Sequence, residues 1–310
     1  MTATRTRAVS DVALTLVLVG AVVWIVIHDT SQLEWLGRVT PAVIAGVAAA
    51  TVGAWLATAV AFRWMLGRLG GELSLGRVLA INVVAGLMNH LPAKPGTAWR
   101  AIRLKREHGV SYAQYLSCSA VYSVVSLLVG TLALVGGLVA MSGAPGEAPR
   151  ALPVVLAAIL CAILLVVPWP RVDGAGRIAG FVNRFSEAKA ALTAGRGIPW
   201  VAVLVVGSVA LSALRLAFAL QEVGDGQGWI GLLAIGAASA VALRLSVTPA
   251  GLGAHELLVG AASEWVGLPL AAGVLAAALV RVVAIVLYVV LGAAGYYLLN
   301  RAEPLAEERS

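Results

Sequence analysis

The chain has 310 residues, 60% of them hydrophobic and 12% charged. Soluble domains carry roughly 25% charged residues, which excludes a soluble globular protein, and no polar stretch is long enough to form a separate soluble domain. The net charge of +7 collects in short loops between apolar segments, as the cytoplasmic loops of a membrane protein require, and this argues against a nucleic-acid partner.

Met1 to Asp11 is a short polar lead with Arg5 and Arg7, followed by an apolar run from Val12 to Ile27. The residues after it offer no small-x-small cleavage site, so an uncleaved first helix with a cytoplasmic N-terminus is expected. Pro41 to Phe62 reads as a second span with proline in its first turn. A loop with Arg63, Arg68 and Arg77 comes next. Leu75 to Leu91 is short for a crossing, which needs about 20 apolar residues. The stretch that follows is the most basic in the chain: Lys94, Arg100, Arg103, Lys105 and Arg106. Basic loops at both ends favour a re-entrant segment over a simple crossing.

Tyr112 to Met141 is long enough to span with tilt. Ser142 to Arg150 reads as an outer loop and Ala151 to Pro168 as the next span. The linker over residues 171–197 places Ile178, Phe181, Val182, Phe185 and Leu192 on one helical face. It reads as an amphipathic helix on the cytoplasmic membrane surface, with a plain basic loop as the alternative. Pro199 to Gln221 spans again, and Glu222 to Gly228 is an acidic turn. Trp229 to Val247 returns, Ala254 to Val266 is too short to cross untilted, and Leu270 to Leu299 is a last long span. Residues 300–310 form a mixed-charge tail. The expected fold is an all-α polytopic bundle, a single transmembrane domain over residues 1–310, with six to eight membrane segments and two re-entrant or broken helices.

Two polar breaks stand out. The first, Asn89 to Arg106, contains Pro92, Pro95 and Gly96; the second, Arg244 to Glu256, contains Pro249, Gly251 and Gly253. Irregular backbone at membrane depth survives only where it is buried in protein or lines a wet cavity. Paired interruptions of this kind point to a substrate site. In the first break a new helix starting near Thr97 would present free N–H groups, and Arg100 and Arg103, three apart, would share a face. Lys94 stands beside the break. In the second, Arg244, His255 and Glu256 are the candidate ligand-binding groups, and Glu256 suits either a first-turn cap or a buried ion pair. Arg281 falls about 17 Å into its helix at ~1.5 Å per residue, near mid-membrane, where an arginine needs a partner or a cavity. Glu256 and Glu264 are its candidate partners. Arg215 lies nearer a helix end, can more readily snorkel, and is given less weight as a site residue.

Catalytic signatures are missing. There is no Gly-x-Ser-x-Gly and no phosphate-binding Walker loop, and His255-Glu256 lacks the second histidine of a zinc-binding helix. Cys118 and Cys161 sit in apolar segments without metal or disulfide spacing. No residue is assigned a catalytic role, no metal or other cofactor is expected, and the chain is not expected to be an enzyme.

At the two breaks the sequence resembles the lysylphosphatidylglycerol synthase transmembrane, or flippase-like, family. The first motif runs from Leu91-Pro92-Ala93-Lys94-Pro95-Gly96-Thr97-Ala98-Trp99-Arg100 through Leu104-Lys105 to Gly109-Val110-Ser111-Tyr112. The second is Pro249-Ala250-Gly251-Leu252-Gly253 with Glu256, followed by Arg281. The resemblance implies an inner-membrane protein that moves an anionic phospholipid or a lipid-linked glycan between leaflets. It implies no lipid aminoacylation, because no soluble aminoacyl-transfer domain follows before Ser310. Expected partners are the lipid substrate and either a second copy of the chain or a biosynthetic enzyme. The alternative function is a membrane-embedded enzyme or accessory subunit in polyprenyl, glycolipid or phospholipid metabolism.

Overall fold

A computed structural model describes residues 39–91, 94–142, 176–221, 228–245 and 251–301, together with residues 37, 167 and 172. The first helix, the loop after Ser142, the span expected over Ala151–Pro168, the acidic turn and the tail lie wholly or mostly outside the described residues, as do Pro92 and Pro249. The described residues form nine helices and no strand: α1 (Pro41–Arg68), α2 (Leu75–Met88), α3 (Pro95–His108), α4 (Tyr112–Ser142), α5 (Arg177–Thr193), α6 (Gly197–Gln221), α7 (Trp229–Leu245), α8 (Ala254–Glu264) and α9 (Leu270–Arg301). The protein is a polytopic helical membrane protein. Helices α1, α4, α6 and α9 are long and apolar enough to cross a bilayer. At ~1.5 Å per residue, α2 reaches only about 21 Å, short of the ~30 Å hydrocarbon core.

Local sequence sets these boundaries. Thr40 accepts a hydrogen bond from the Val43 N–H at 3.4 Å and Pro41 opens α1 without an orphan donor. Ser74 caps α2 in the same way through the Arg77 N–H. Ahead of α4, Ser111 and Gln114 cap each other reciprocally at 2.8 and 3.2 Å. Helix α3 begins differently. Its N-cap is Lys94, at φ 47° and ψ 54°, a left-handed conformation that costs a side-chain-bearing residue roughly 1 kcal/mol. Gly109, at φ 64°, ends the helix.

Neighbouring long helices pack antiparallel. Gly46 lies against Phe218 and Gly53 against Leu211, joining α1 to α6; Gly130 meets Val241 and Gly137 meets Ala234, joining α4 to α7. Small residues let helix backbones approach closely where lipid supplies no hydrophobic drive. Helices α2 and α3 form a hairpin: Gly96 sits directly on the Ala85 carbonyl, and Arg100, one turn on, bonds Asn82, one turn back. The hairpin docks on α9, where Tyr288 covers Gly86, Leu87 faces Gly292, and Ala80 faces Gly295. Helices α8 and α9 make a second hairpin, closed by Gly260 against Val274 and Gly273 against Ser263.

The long helices pass through two separate apolar cores. Helix α1 gives Val43 and Val47 to one and Ala59, Phe62, Met65 and Leu66 to the other; α6 gives Leu216 and Leu220 to the first and Val201, Val205 and Val209 to the second. The residues between these groups on the two helices include Trp55, Thr58, Ser212 and Arg215. A polar layer therefore separates the two cores, near the midpoint of α1.

Helix α5 settles the choice between helix and plain loop for the linker, and the apolar face expected to meet the membrane surface is in part exposed. Ala179, Ala188, Lys189 and Leu192 are buried, whereas Ile178 is 81% exposed and Phe181 is also exposed. The seam follows backbone contacts: Ser117 donates to the Phe185 carbonyl at 2.9 Å and Arg68 to the Ala191 carbonyl at 3.1 Å.

Candidate functional site

The polar layer borders a partly open cavity of two adjoining lobes, of about 330 and 300 Å³. Trp55, Gly86, Asn89, Arg215, Leu243, Arg244 and Tyr288 line both. Trp55 and Tyr288 stack with ring centroids 4.1 Å apart, forming an aromatic wall that both lobes share. Trp55 is the fifteenth of the 28 residues of α1, which places the cavity about 21 Å from either end of that helix.

The first lobe is cationic. Lys94, Arg215, Arg244 and Arg281 line it together with His90, Gly251 and His255. The left-handed turn at Lys94 carries this residue from the tip of the α2–α3 hairpin to the lobe. Positive φ angles at Gly251 (75°) and Gly253 (77°) turn the chain into α8. That turn sets Glu256 behind Arg281. One carboxylate oxygen of Glu256 accepts the Gly253 N–H at 2.8 Å and the other pairs with the Arg281 Nε. Glu256 thus caps its own helix and neutralises Arg281 at once, while Glu264 is exposed. His255, buried, hydrogen-bonds through Nε2 to the Ser239 hydroxyl at 2.7 Å.

The second lobe is hydroxyl- and amide-rich. Thr58, Asn82, Asn89, Ser126, Ser208 and Ser212 line it, and Arg100 is its one additional cation among the described residues. Arg100 donates to Asn82 Oδ1 at 2.7 Å and to the Tyr115 hydroxyl at 2.9 Å. Its guanidinium also lies over the Phe62 and Tyr115 rings. Thr58, Tyr122 and Ser208 join hydroxyls at 2.9–3.1 Å across α1, α4 and α6.

The structure brings Lys94, Arg100, Arg244, His255 and Arg281 to one cavity and leaves Arg103 off its lining. Arg103 pairs with Glu107, four residues on, and covers the Trp99 ring, so the face it was expected to share with Arg100 is divided. The helix start expected near Thr97 falls at Pro95, and its free N–H groups are fewer than expected. Proline has none, and Asn89 Oδ1 takes the Thr97 N–H at 3.0 Å. Gly96 serves packing: a Cβ there would collide with the Ala85 carbonyl.

Arg215 departs furthest from expectation. It does not snorkel; it is 8% exposed, lines both lobes, and its Nε has no hydrogen-bond partner among the described residues. Distance along a helix suggested an escape route that the packing of α1, α7 and α9 around α6 closes. Asn82, Trp55, Tyr288 and the hydroxyl layer were not singled out either. The polar periodicity of Asn82 and Asn89 was the available signal for the α2 part of the lining.

Across both lobes, five cationic side chains line the cavity and no carboxylate does among the described residues. Among the same residues no three of His, Cys, Asp or Glu gather as metal ligands would. Planar guanidinium forks have a geometry that suits phosphate oxygens. A comparison with curated proteins found no match. The family model described as the lysylphosphatidylglycerol synthase TM region matches residues 12–292, and the chain belongs to that family.

Proposed function

We propose that this protein passes lipids with an anionic, phosphate-bearing headgroup between membrane leaflets by way of the two-lobed cavity. One observation carries the reading: a cavity midway along the spanning helices has five cationic side chains in its lining and no carboxylate among the described residues. Each intramembrane cation costs at least ~2.5 kcal/mol on insertion scales, and neighbouring like charges add repulsion. A bound phosphate offsets both. Lys94 and Arg244, on the two breaks, and Arg281 and Arg215, on spanning helices, would grip the headgroup from different sides. The basic loops fit the cell membrane with the N-terminus in the cytoplasm.

The test is translocation of fluorescent phosphatidylglycerol in liposomes reconstituted with wild type, Arg215→Ala, Arg281→Ala and, as a control, Lys105→Ala. Lys105 sits on α3 over the Tyr112 ring, off the cavity lining. Wild type and the control translocate, while Arg215→Ala and Arg281→Ala slow at least about tenfold, the effect of ~1.4 kcal/mol. Equal rates in all four proteins would refute the reading. Wild type inert toward anionic and glycosylated lipids alike would move it to an accessory role in lipid metabolism.

A further inference from the structure

Resting on the transport reading, we infer that the two lobes divide the headgroup. The cationic lobe takes a phosphate and the second lobe takes a neutral, hydroxyl-rich group attached to it, so that an ammonium-bearing headgroup is rejected. This departs from what the family description would suggest, since an aminoacylated lipid carries extra positive charge.

Three observations support the division. First, an ammonium group at this depth and among other cations needs a counter-charge. No carboxylate lines either lobe among the described residues, and Glu256, behind the wall, already holds both Arg281 and the Gly253 N–H. A cation entering would meet five others, of which Arg281 has Glu256 as its counter-charge, and would find no carboxylate left for itself. Second, the second lobe carries unused hydrogen-bonding groups of both kinds. Asn82 Nδ2 and Ser126 Oγ have no partner among the described residues, and Ser126 is 4% exposed. Ser212 stands beside them on the same lining. Hydroxyls donate or accept as required, which matches a ligand whose own hydroxyls do both. Buried polar atoms are normally satisfied, so such a pair beside a cavity marks where a water or a ligand hydroxyl would complete them. Third, the Trp55–Tyr288 stack spans both lobes, giving a flat apolar surface beside polar groups, and Arg215 reaches both with an Nε that is unpaired among the described residues. Each lobe has room for about ten waters at ~30 Å³ each. The second lobe shares its aromatic wall, Arg215 and Arg244 with the first and adds Arg100 and the hydroxyl layer.

Native mass spectrometry of the purified full chain in detergent tests the division, with dioctanoyl phosphatidylinositol, phosphatidic acid and phosphatidylethanolamine as probes. These share acyl chains and differ in carrying phosphate plus cyclitol, phosphate alone, and phosphate plus ammonium. Phosphatidylinositol should bind about tenfold more tightly than phosphatidic acid, the worth of one or two net hydrogen bonds. Phosphatidylethanolamine should bind more weakly than either. The Ser126→Ala/Ser212→Ala double variant should retain phosphatidic acid binding and lose the preference for phosphatidylinositol. Phosphatidylethanolamine binding as tightly as phosphatidylinositol, or a preference that survives the double variant, overturns the division while leaving anionic-lipid transport intact. Failure of all three lipids to bind wild type overturns both.

Discussion

Replacing Glu256 by glutamine and Arg281 by methionine, singly and together, measures how the second hairpin depends on its ion pair. The side chains of Glu256 and Arg281 are 5% and 12% exposed. Removing one partner of a buried pair costs ~3–5 kcal/mol, because the other is left charged and uncompensated. Arg281 keeps access to the cavity, so the lower end applies and Glu256→Gln should cost about 3 kcal/mol. Glutamine can still accept the Gly253 N–H, so the cap, typically ~1 kcal/mol, is largely kept. Arg281→Met leaves Glu256 with its backbone bond and removes one cation from a crowded lobe, so its cost should be smaller, about 2 kcal/mol. In the double variant both charges are gone and the total should fall well short of the sum, with a coupling of at least ~2 kcal/mol. Unfolding of the protein in lipid nanodiscs, followed by denaturant titration, reads all four corners of the cycle. Additive effects within ~0.5 kcal/mol would show that the pair does not hold α8 to α9 and that Glu256 does not neutralise Arg281 behind the cavity wall.

Two further outcomes follow from particular contacts. Gly96→Ala should destabilise the α2–α3 hairpin by about 2 kcal/mol or more, as overpacking against a fixed backbone does, because its methyl would meet the Ala85 carbonyl; an unchanged melting temperature would show that the hairpin is looser than its contacts indicate. His108, at the polar end of α3, has its pKa held below the ordinary 6.5 by burial and then by Arg77 and Arg103. A lowered pKa means the neutral ring is favoured in the folded state. The stability it contributes is therefore present above the unfolded pKa and lost as pH falls through the folded value. Wild type should lose stability on acidification below about pH 6.5 more steeply than His108→Gln, and parallel pH profiles would refute the assignment.

Much of this architecture is written in one dimension. Long apolar runs with a proline start or a reciprocal cap gave α1, α4, α6 and α9, because in lipid a helix satisfies its own backbone and little else is allowed. The breaks around Pro95 and Gly251 stood out for the same reason. The Glu256–Arg281 pair was accessible because a mid-membrane arginine demands a partner and few acids were on offer. The pairing of Arg103 with Glu107 was legible too, as a four-residue spacing, but the hypothesis of a shared basic face hid it. Arg215 was not legible. Its fate depends on which helices crowd around α6, and that is a long-range property. The hydroxyl layer was hidden as well, since Thr58, Ser126, Ser208 and Ser212 lie on three helices and each alone is an ordinary residue in an apolar segment. The helix of α5 was legible from its amphipathic periodicity, but its contacts with α4 and α1 were not, since periodicity marks an apolar face without saying which backbone groups will meet it.

The docking of the α2–α3 hairpin on α9 constrains how the protein can move. Tyr288 seated over Gly86, Leu87 facing Gly292 and Ala80 facing Gly295 make an interlocking register. Axial sliding by less than a helical turn would drive the Tyr288 ring into the bulkier residues flanking Gly86, so translation along α9 is blocked in small steps. Rotation is not. Gly70 (φ 85°) and Gly109 (φ 64°) bound the hairpin at its two chain connections, and both are free to change backbone angles at little steric cost. With its internal contacts locked by Gly96 and the Arg100–Asn82 bond, the hairpin behaves as a lever hinged at one end, and its tip, where Asn89 and Lys94 line the cavity, would sweep the widest arc.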